Sequence, residues 1–314
     1  MPEASSPTFT IFIPSYNRAT LLPRAFASIE RQTSRDFEVL IIDDGSTDNT
    51  QDIVAEWSES VDFPVHYHWQ ENQGKPATHN FALQFANGFF TVILDSDDTL
   101  ADNALALLLS QWESIPDEQK MHFAGVEGHC ALLSNGQISG DNFPADIFDS
   151  NYLETRYHLH IAGDKKNAMR TEVLKAFPFP IFPGEKSIRE SVVWNRIATK
   201  YKMRYINQVI QYIEYQPDGL STGIFQRRVN NPQGFRFAYQ EMLNDFSHYY
   251  SSSEQMKEMA KYIRFSFHCR IPMTQQRLEI NNKALWLLML CKGWINYRLD
   301  LAKIKKNQKK ARHA

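Results

Sequence analysis

Over its first hundred residues the chain switches repeatedly between two hydrophobic periods, and this switching restricts the fold more than any other feature. Residues 8–14 (TFTIFIP) form an apolar run of strand length. From Thr20 onward Leu21, Leu22, Ala25, Phe26 and Ile29 recur at helical spacing, with Thr20 placed to cap that helix. Residues 38–42 then predict a strand, 48–57 a helix, 65–69 a third strand, 77–86 a helix, 89–94 a strand and 102–112 a Leu-rich helix. Alternation of this kind predicts an α/β sheet served by crossover helices. Further on, a strand over 123–133 runs into Asn135-Gly136, which suits a type I′ hairpin turn. A helix over 170–177, a Pro-rich stretch over 178–184, a helix over 188–201 and a strand over 205–215 follow. Past Gly234 the pattern is helical and separate, so two parts are expected: residues 1–219, and a helical C-terminal segment 220–314 ending in a basic tail.

An apolar share of 43% and a charged share of 22% exclude a disordered, collagen-like or disulfide-stapled chain. The three cysteines Cys130, Cys269 and Cys291 are odd in number and form no C-x-x-C pair, which argues against a disulfide framework and a cysteine-ligated zinc site. The net charge of −2 is unevenly placed, because residues 292–314 hold eight Lys or Arg against Asp300 alone. The remainder is therefore acidic, which disfavours a nucleic-acid partner. Nothing at the N-terminus resembles a secretory signal, and the longest apolar run, residues 284–291, is far shorter than the roughly 18–20 residues that span a bilayer. A cytoplasmic setting is expected.

Ligands of open α/β sheets bind beyond the carboxyl ends of the strands, so three segments should be read together: Ser15-Tyr16-Asn17-Arg18, Asp43-Asp44-Gly45-Ser46-Thr47-Asp48 and Asp95-Ser96-Asp97-Asp98. Neither a G-x-G-x-x-G turn nor a P-loop is present, which disfavours a dehydrogenase or NTPase. Close carboxylates repel by about 4 kcal/mol per pair at an effective dielectric near 20, so Asp95, Asp97 and Asp98 invite Mg2+ or Mn2+ bridging to a substrate diphosphate. A solvated turn in which Asp98 or Asp102 caps the next helix accounts for the same residues.

IFIPSYNR, LIIDDGSTD, NQGKPATHN and DSDD, in this order and spacing, resemble the nucleotide-sugar domain of the family 2 glycosyltransferases, which have the GT-A fold. The segments GDKKNAMRTEVLKAFPFP, IRESVVWNRIATKYKMRYIN and EYQPDGLS resemble a bacterial subgroup that serves capsule, exopolysaccharide and lipopolysaccharide assembly. The resemblance implies that Pro14, Ser15, Tyr16 and Asp44 meet the nucleoside of a UDP-sugar, with Tyr16 against the base, Asp44 accepting a uracil N–H, and Asp43 the alternative one residue away. Asn72, Gly74 and Lys75 would line the same pocket. Asp95 would contact the ribose or sugar with Ser96 beside it, while Asp97 holds the metal and Asp95 or Asp98 shares that task. The family's Arg-Asn pair is here His79-Asn80, a departure.

Inverting transfer needs a carboxylate to take the acceptor hydroxyl's proton. The resemblance places it before a helix carrying Trp194 and Arg196, which selects Glu190, with Glu185 as the rival and Trp194 as an acceptor platform or a core residue. Glu190 is expected in the first helical turn, where the helix dipole favours its ionised form; a capping-box Glu would look the same. The pairs His66/His68 and His158/His160 lack a third metal ligand, and Asp164 and Lys165 occupy a loop without an assigned role. The expectation is thus a metal-dependent, inverting enzyme adding one sugar from a UDP-sugar to a glycan or lipid-linked glycan; the absence of Q-x-x-R-W argues against processive synthesis. A nucleotidyltransferase or a silent nucleotide-sugar binder is the alternative. The apolar residues 284–294 followed by six cations over 303–312 make an anionic membrane a candidate partner, against a core helix with a solvated end; the oligomeric state stays open.

Overall fold

The computed structural model describes residues 6–216 and 223–311. The chain divides into two compact units, Met1–Phe179 with Val193–Pro217, and Pro180–Val192 with Asp218–Ala314. The expected division at residue 219 lies outside the described residues, and the stretch Pro180–Val192 groups with the C-terminal unit.

The first unit opens as β1 (Phe9–Ser15), α1 (Leu22–Glu30), β2 (Phe37–Asp43), α2 (Thr50–Ser60), β3 (Val65–Trp69), α3 (Lys75–Ala82) and β4 (Phe90–Ile93). These four strands are parallel, with Ser15 opposite Asp43, Asp43 opposite Trp69, and Phe12 opposite Ile93. In-register pairing of parallel strands brings their carboxyl ends to one rim, which is where the chain delivers residues 16–18, 44–48, 70–75 and 95–98. The pleat sorts the apolar runs by alternation. Phe9, Ile11, Ile13, Val39 and Ile41 face a core with Leu22, Phe26 and Ile29 of α1, while Phe12, Leu40 and Ile42 face Ala82 of α3 and Ala86. Each such fully buried side chain contributes about 1.5–3 kcal/mol.

β5 (Thr99–Leu100), α4 (Ala104–Glu113), α5 (Asp117–Lys120), β6 (Phe123–Leu132), β7 (Ile147–Ser150), β8 (Lys165–Arg170), α6 (Thr171–Ala176), α7 (Ser191–Ala198) and β9 (Lys202–Ile213) follow. The sheet runs β3-β2-β1-β4-β8-β6-β9-β5, with β7 also on β9. β8 lies antiparallel between β4 and β6, so the sheet is mixed: a Rossmann-like half joined to an irregular half.

Three local expectations are corrected. Helix α1 begins after Leu21 with no side-chain cap, so Thr20 does not cap it. The turn after β6 is not type I′, because Gly136 has a left-handed φ of 72° while Asn135 does not, and type I′ needs both. Glu190 precedes α7 and is not in its first turn.

The second unit contains α8 (Ile224–Asn230), α9 (Pro232–Asn244), α10 (Ser252–His268), α11 (Met273–Leu278) and α12 (Lys283–Ala311). A capping box of Ser251 and Glu254 starts α10. Phe235, Tyr239, Met242, Met259, Tyr262, Ile263, Phe265, Trp286 and Met289 form its core. A Cβ on Gly293 would lie 2.5 Å from Ile263 Cγ2, so glycine is what lets α12 approach α10 this closely.

Candidate active site

At the rim, β1 ends in Ser15, which is enclosed and whose Oγ finds no partner among the described residues. Tyr16 follows, 48% exposed. Asn17 adopts φ 52° and ties two loops together: its N donates to Ser46 Oγ and its Oδ1 accepts from Thr47 N, both at 2.8 Å. Asn can take this conformation at modest cost.

The carboxylates after β2 are used internally. Buried Asp43 accepts from the Tyr67 hydroxyl at 2.7 Å and from Ser46 N at 2.8 Å. Buried Asp44 accepts from Gln70 Nε2 at 2.6 Å and from the N–H groups of Gln73 and Gly74 at 2.8 Å each. Both Asp44 oxygens therefore organise the loop that contains Asn72. A Cβ on Gly45 would lie 2.8 Å from Asn72 N, and Gly45 has φ 82°, so this turn requires glycine twice over. Asp48 holds the start of α2 through the Thr50 side chain and also accepts from Ala19 N. Burial raises its pKa, but these bonds outweigh burial and leave it below the ordinary range.

Gly74, at φ 87°, leads into α3, whose first residue is Lys75. Lys75 Nζ lies 2.8 Å from Asp95 Oδ1, and Lys166 Nζ lies 2.6 Å from Asp95 Oδ2. β8 pairs Ala168 with Val92 and continues past the end of β4, which is how Lys166 reaches Asp95. Burial opposes the Asp95 charge, but the two ammonium groups overcome it and hold the carboxyl well below its usual range. Burial likewise opposes the Lys166 charge, yet Asp95 pushes it up to about 12.

Asp98 is also buried, accepting from Gln211 Nε2 at 2.7 Å, and burial pushes its carboxyl up to about 7. Asp97 differs from both. Its carboxyl is raised by burial and by the charge of Asp95, with Arg18 and Lys75 acting in the opposite sense, while its carbonyl accepts from the Arg24 guanidinium. Ser96 between them is buried.

Among the described residues no three His, Cys, Asp or Glu come together as a metal-ligand set. Lys75 and Lys166 offset the repulsion among these carboxylates, and Asp95 and Asp98 accept from protein donors. Burial and the charge of Asp95 oppose ionisation of Asp97, and a cation held there would restore it. One carboxylate plus substrate phosphates and water is a ligand set that Mg2+ accepts.

His79, at the departure from the family pattern, is buried against Phe12 and Phe179, and Asn80 exchanges two 2.9 Å bonds with the Phe179 backbone. His66 lies beside Glu38, His68 stacks on Phe85, and His158 bonds Glu154. Trp194 is half-buried against Phe179. Asp164 accepts from the Tyr215 hydroxyl at 2.6 Å, and Lys165 Nζ donates to the carbonyls of Ser139 and Ala162.

In the second unit the two candidate bases are distinguished. Glu185 accepts from Gln233 N and Gly234 N at 2.7 Å each, so both oxygens anchor the start of α9, and Lys186 N and Ser187 N bond Asn231 Oδ1 beside it. Glu190 is exposed and within the field of Arg227.

Sequence reasoning missed Lys166. Its signal was strand phase, since it shares a face of β8 with Ala168 of the core. It also missed the polar group on the opposite face: Glu127 of β6 accepts from Asn167 at 3.1 Å, and buried His129 bonds Asn207 at 2.9 Å. Burial pushes Glu127 up to about 7.

Several known proteins share this architecture. A GalNAc(5)-diNAcBac-PP-undecaprenol beta-1,3-glucosyltransferase of Campylobacter jejuni is 24% identical over 305 residues, covering 90% of this chain and 93% of that one. A putative teichuronic acid biosynthesis glycosyltransferase of Bacillus subtilis is 30% identical over 145 residues, and the match spans only 45% of this chain and 52% of that relative. The crystal structure of S. aureus TarS 1-349 in complex with UDP-GlcNAc superposes with TM-score 0.61 at 17% identity, over 96% of this chain and 92% of that one. The mannosyltransferase PcManGT from Pyrobaculum calidifontis, in complex with GDP-Man and Mn2+, gives 0.55 at 20% identity, over 94% and 87%. At these identities the two structures establish the shared fold. Residues 10–176, just over half of the chain, match glycosyl transferase family 2, and the protein, with its GT-A core, belongs to that family of sugar-transferring enzymes.

Proposed function

We propose that this glycosyltransferase moves one sugar, with inversion, from a UDP-sugar to an acceptor hydroxyl in the assembly of a bacterial surface polysaccharide, with Mn2+ or Mg2+ as cofactor. The observation that carries the reading is the carboxylate cluster Asp95-Ser96-Asp97-Asp98 following β4 at the strand rim: Asp95 is paired with Lys75 and Lys166, Asp98 accepts from Gln211, and burial with Asp95 opposes the charge of Asp97, which a cation there would restore. The activities of the Campylobacter and Bacillus relatives support the polysaccharide setting, and the UDP-GlcNAc bound to TarS and the GDP-Man and Mn2+ bound to PcManGT support a metal-assisted nucleotide-sugar donor.

Tyr16 supplies an exposed ring for the base, following Pro14 and the enclosed Ser15 hydroxyl along the chain. Asp43 and Asp44 shape the pocket wall by fixing residues 70–74, including Asn72 and Gly74. Asp95 and Ser96 face the ribose and sugar, and Lys75 is close enough to exchange Asp95 for a phosphate. The metal, held by Asp97, would neutralise charge on the departing diphosphate. Glu190 takes the acceptor's proton as its oxygen attacks the anomeric carbon and the bond to the diphosphate breaks. Trp194 offers a ring for the acceptor sugar.

The test is a thermal-shift screen of UDP- and GDP-sugars with and without Mn2+, on the wild type and Asp97→Asn, followed by UDP release. A UDP-sugar should raise the melting temperature in a metal-dependent manner, and Asp97→Asn should abolish the metal dependence while remaining folded. Metal-dependent binding that survives in Asp97→Asn overturns the assignment.

A further inference from the structure

Helix α12 packs inward through Trp286, Met289 and Gly293, yet its outward face is also apolar. Leu287 and Leu288 are 67% exposed, Leu299 63%, Ile295 50% and Trp294 47%. At 100° per residue these five occupy one side of the helix, centred near Cys291 and Ile295, over about 18 Å of its length. Single exposed apolar residues need no explanation, but a contiguous row of this size marks an interaction surface.

Charge decides what that surface fits. From Lys283 to Lys309 the helix carries Lys283, Lys292, Arg298, Lys303, Lys305, Lys306 and Lys309. Its lone acid, Asp300, is buried and held by Arg264 and His268 of α10. The outward face is thus apolar and cationic without an exposed carboxylate, and Lys305, Lys306 and Lys309 continue it in helical phase. A second copy of the same face would bring like charges together, whereas an anionic lipid surface accepts both features: apolar side chains enter the acyl boundary while ammonium groups meet phosphate. No described helix is long and apolar enough to cross a membrane.

We infer that the outward face of α12 docks the protein in the plane of an anionic bilayer. Leu287, Leu288, Trp294, Ile295 and Leu299 insert, and the lysines of the last three turns supply the preference for acidic headgroups. None of these residues is assigned to the donor site or to proton transfer, so UDP release without vesicles should not depend on them, and the inference can fail without the catalytic reading failing.

The experiment is co-sedimentation of the full chain with phosphatidylcholine vesicles, alone or containing phosphatidylglycerol, over a series of salt concentrations. The variants are Leu288→Glu with Ile295→Glu, and Lys305→Glu with Lys306→Glu, each checked for helicity and melting temperature. Wild type should partition onto the phosphatidylglycerol vesicles at least roughly tenfold more than onto phosphatidylcholine alone, less so as salt shortens the Debye length. Each double variant should lose about tenfold or more while retaining its fold and vesicle-free UDP release. Wild type remaining in the supernatant, or variants that bind as well as wild type, overturns the inference. So does a solution dimer that Leu288→Glu with Ile295→Glu breaks in a protein that ignores vesicles, since the face would then serve a second copy.

Discussion

Replacing Lys166 by Met removes one of the two ammonium groups that hold Asp95 ionised in a largely enclosed position. A lysine raised from its ordinary 10.5 to about 12 has gained about 2 kcal/mol in its charged form. Asp95 is shifted further because it has two partners, so the lysine's gain is the better measure of this pair. Breaking a buried pair generally costs about 3–5 kcal/mol, but Lys75 stays within 2.8 Å of Asp95 and limits the loss, so we expect about 2–3 kcal/mol at pH 7. The sign with pH follows from Asp95: its depressed pKa contributes stability above its ordinary 3.8 that is lost as pH falls. Without Lys166 the carboxyl protonates at higher pH and no longer needs a partner. The gap between wild type and Lys166→Met should therefore persist down to that ordinary value and narrow as the pH is lowered below it. Urea unfolding at pH 7 and at about pH 3, with Asp95→Asn and the double variant, closes the cycle; Asp95→Asn should remove most of the penalty of losing Lys166. A loss below about 0.5 kcal/mol, or one equally large in acid and in the Asp95→Asn background, refutes the reasoning.

Glu190→Gln keeps shape but cannot accept a proton, so donor binding should persist while sugar transfer falls by roughly 10²–10⁴, read by comparing UDP-sugar binding with turnover. Glu185→Gln should instead weaken the anchoring of α9 and lower the melting temperature, because both Glu185 oxygens bond that helix's first N–H groups; turnover lost only in Glu185→Gln would exchange the two roles. Glu127, raised from 4.5 to about 7, favours the fold while protonated, and that contribution is full below 4.5 and lost as pH rises through about 7. Glu127→Gln should flatten the decline in stability over that window by up to about 3 kcal/mol, visible in melting temperatures across pH 4.5–8. Asp98, raised in the same sense, would leave a residual slope, and an unchanged profile in the variant would show that Glu127 is not the titrating group.

The alternation of strand and helix over the first hundred residues was legible because it is local: the pleat and the helical turn each select apolar residues at fixed spacing, and β1 to β4 appear where those runs stand. Once the strands are parallel and in register, the segments after them must share a rim, so the location of the candidate site was also written in the order of motifs. What each carboxylate does there was not. Asp95 is decided by Lys166, 71 residues away, and Asp98 by Gln211, 113 residues away, through pairing of strands whose register no local pattern specifies. Glu185 and Glu190 look alike in sequence, and only the N–H groups at the start of α9 separate them. The same holds for α12, whose apolar run reads equally as core or as an exposed docking face, and only the tertiary structure shows the inward side filled by Trp286 and Met289, leaving Leu287, Leu288 and Ile295 outside. Composition and period fix which residues can be buried or charged, because those are properties of a side chain and its near neighbours. Protonation, metal preference and surface exposure are set by whatever else occupies the surrounding few ångströms, and in this chain that neighbour is usually brought in by the tertiary fold.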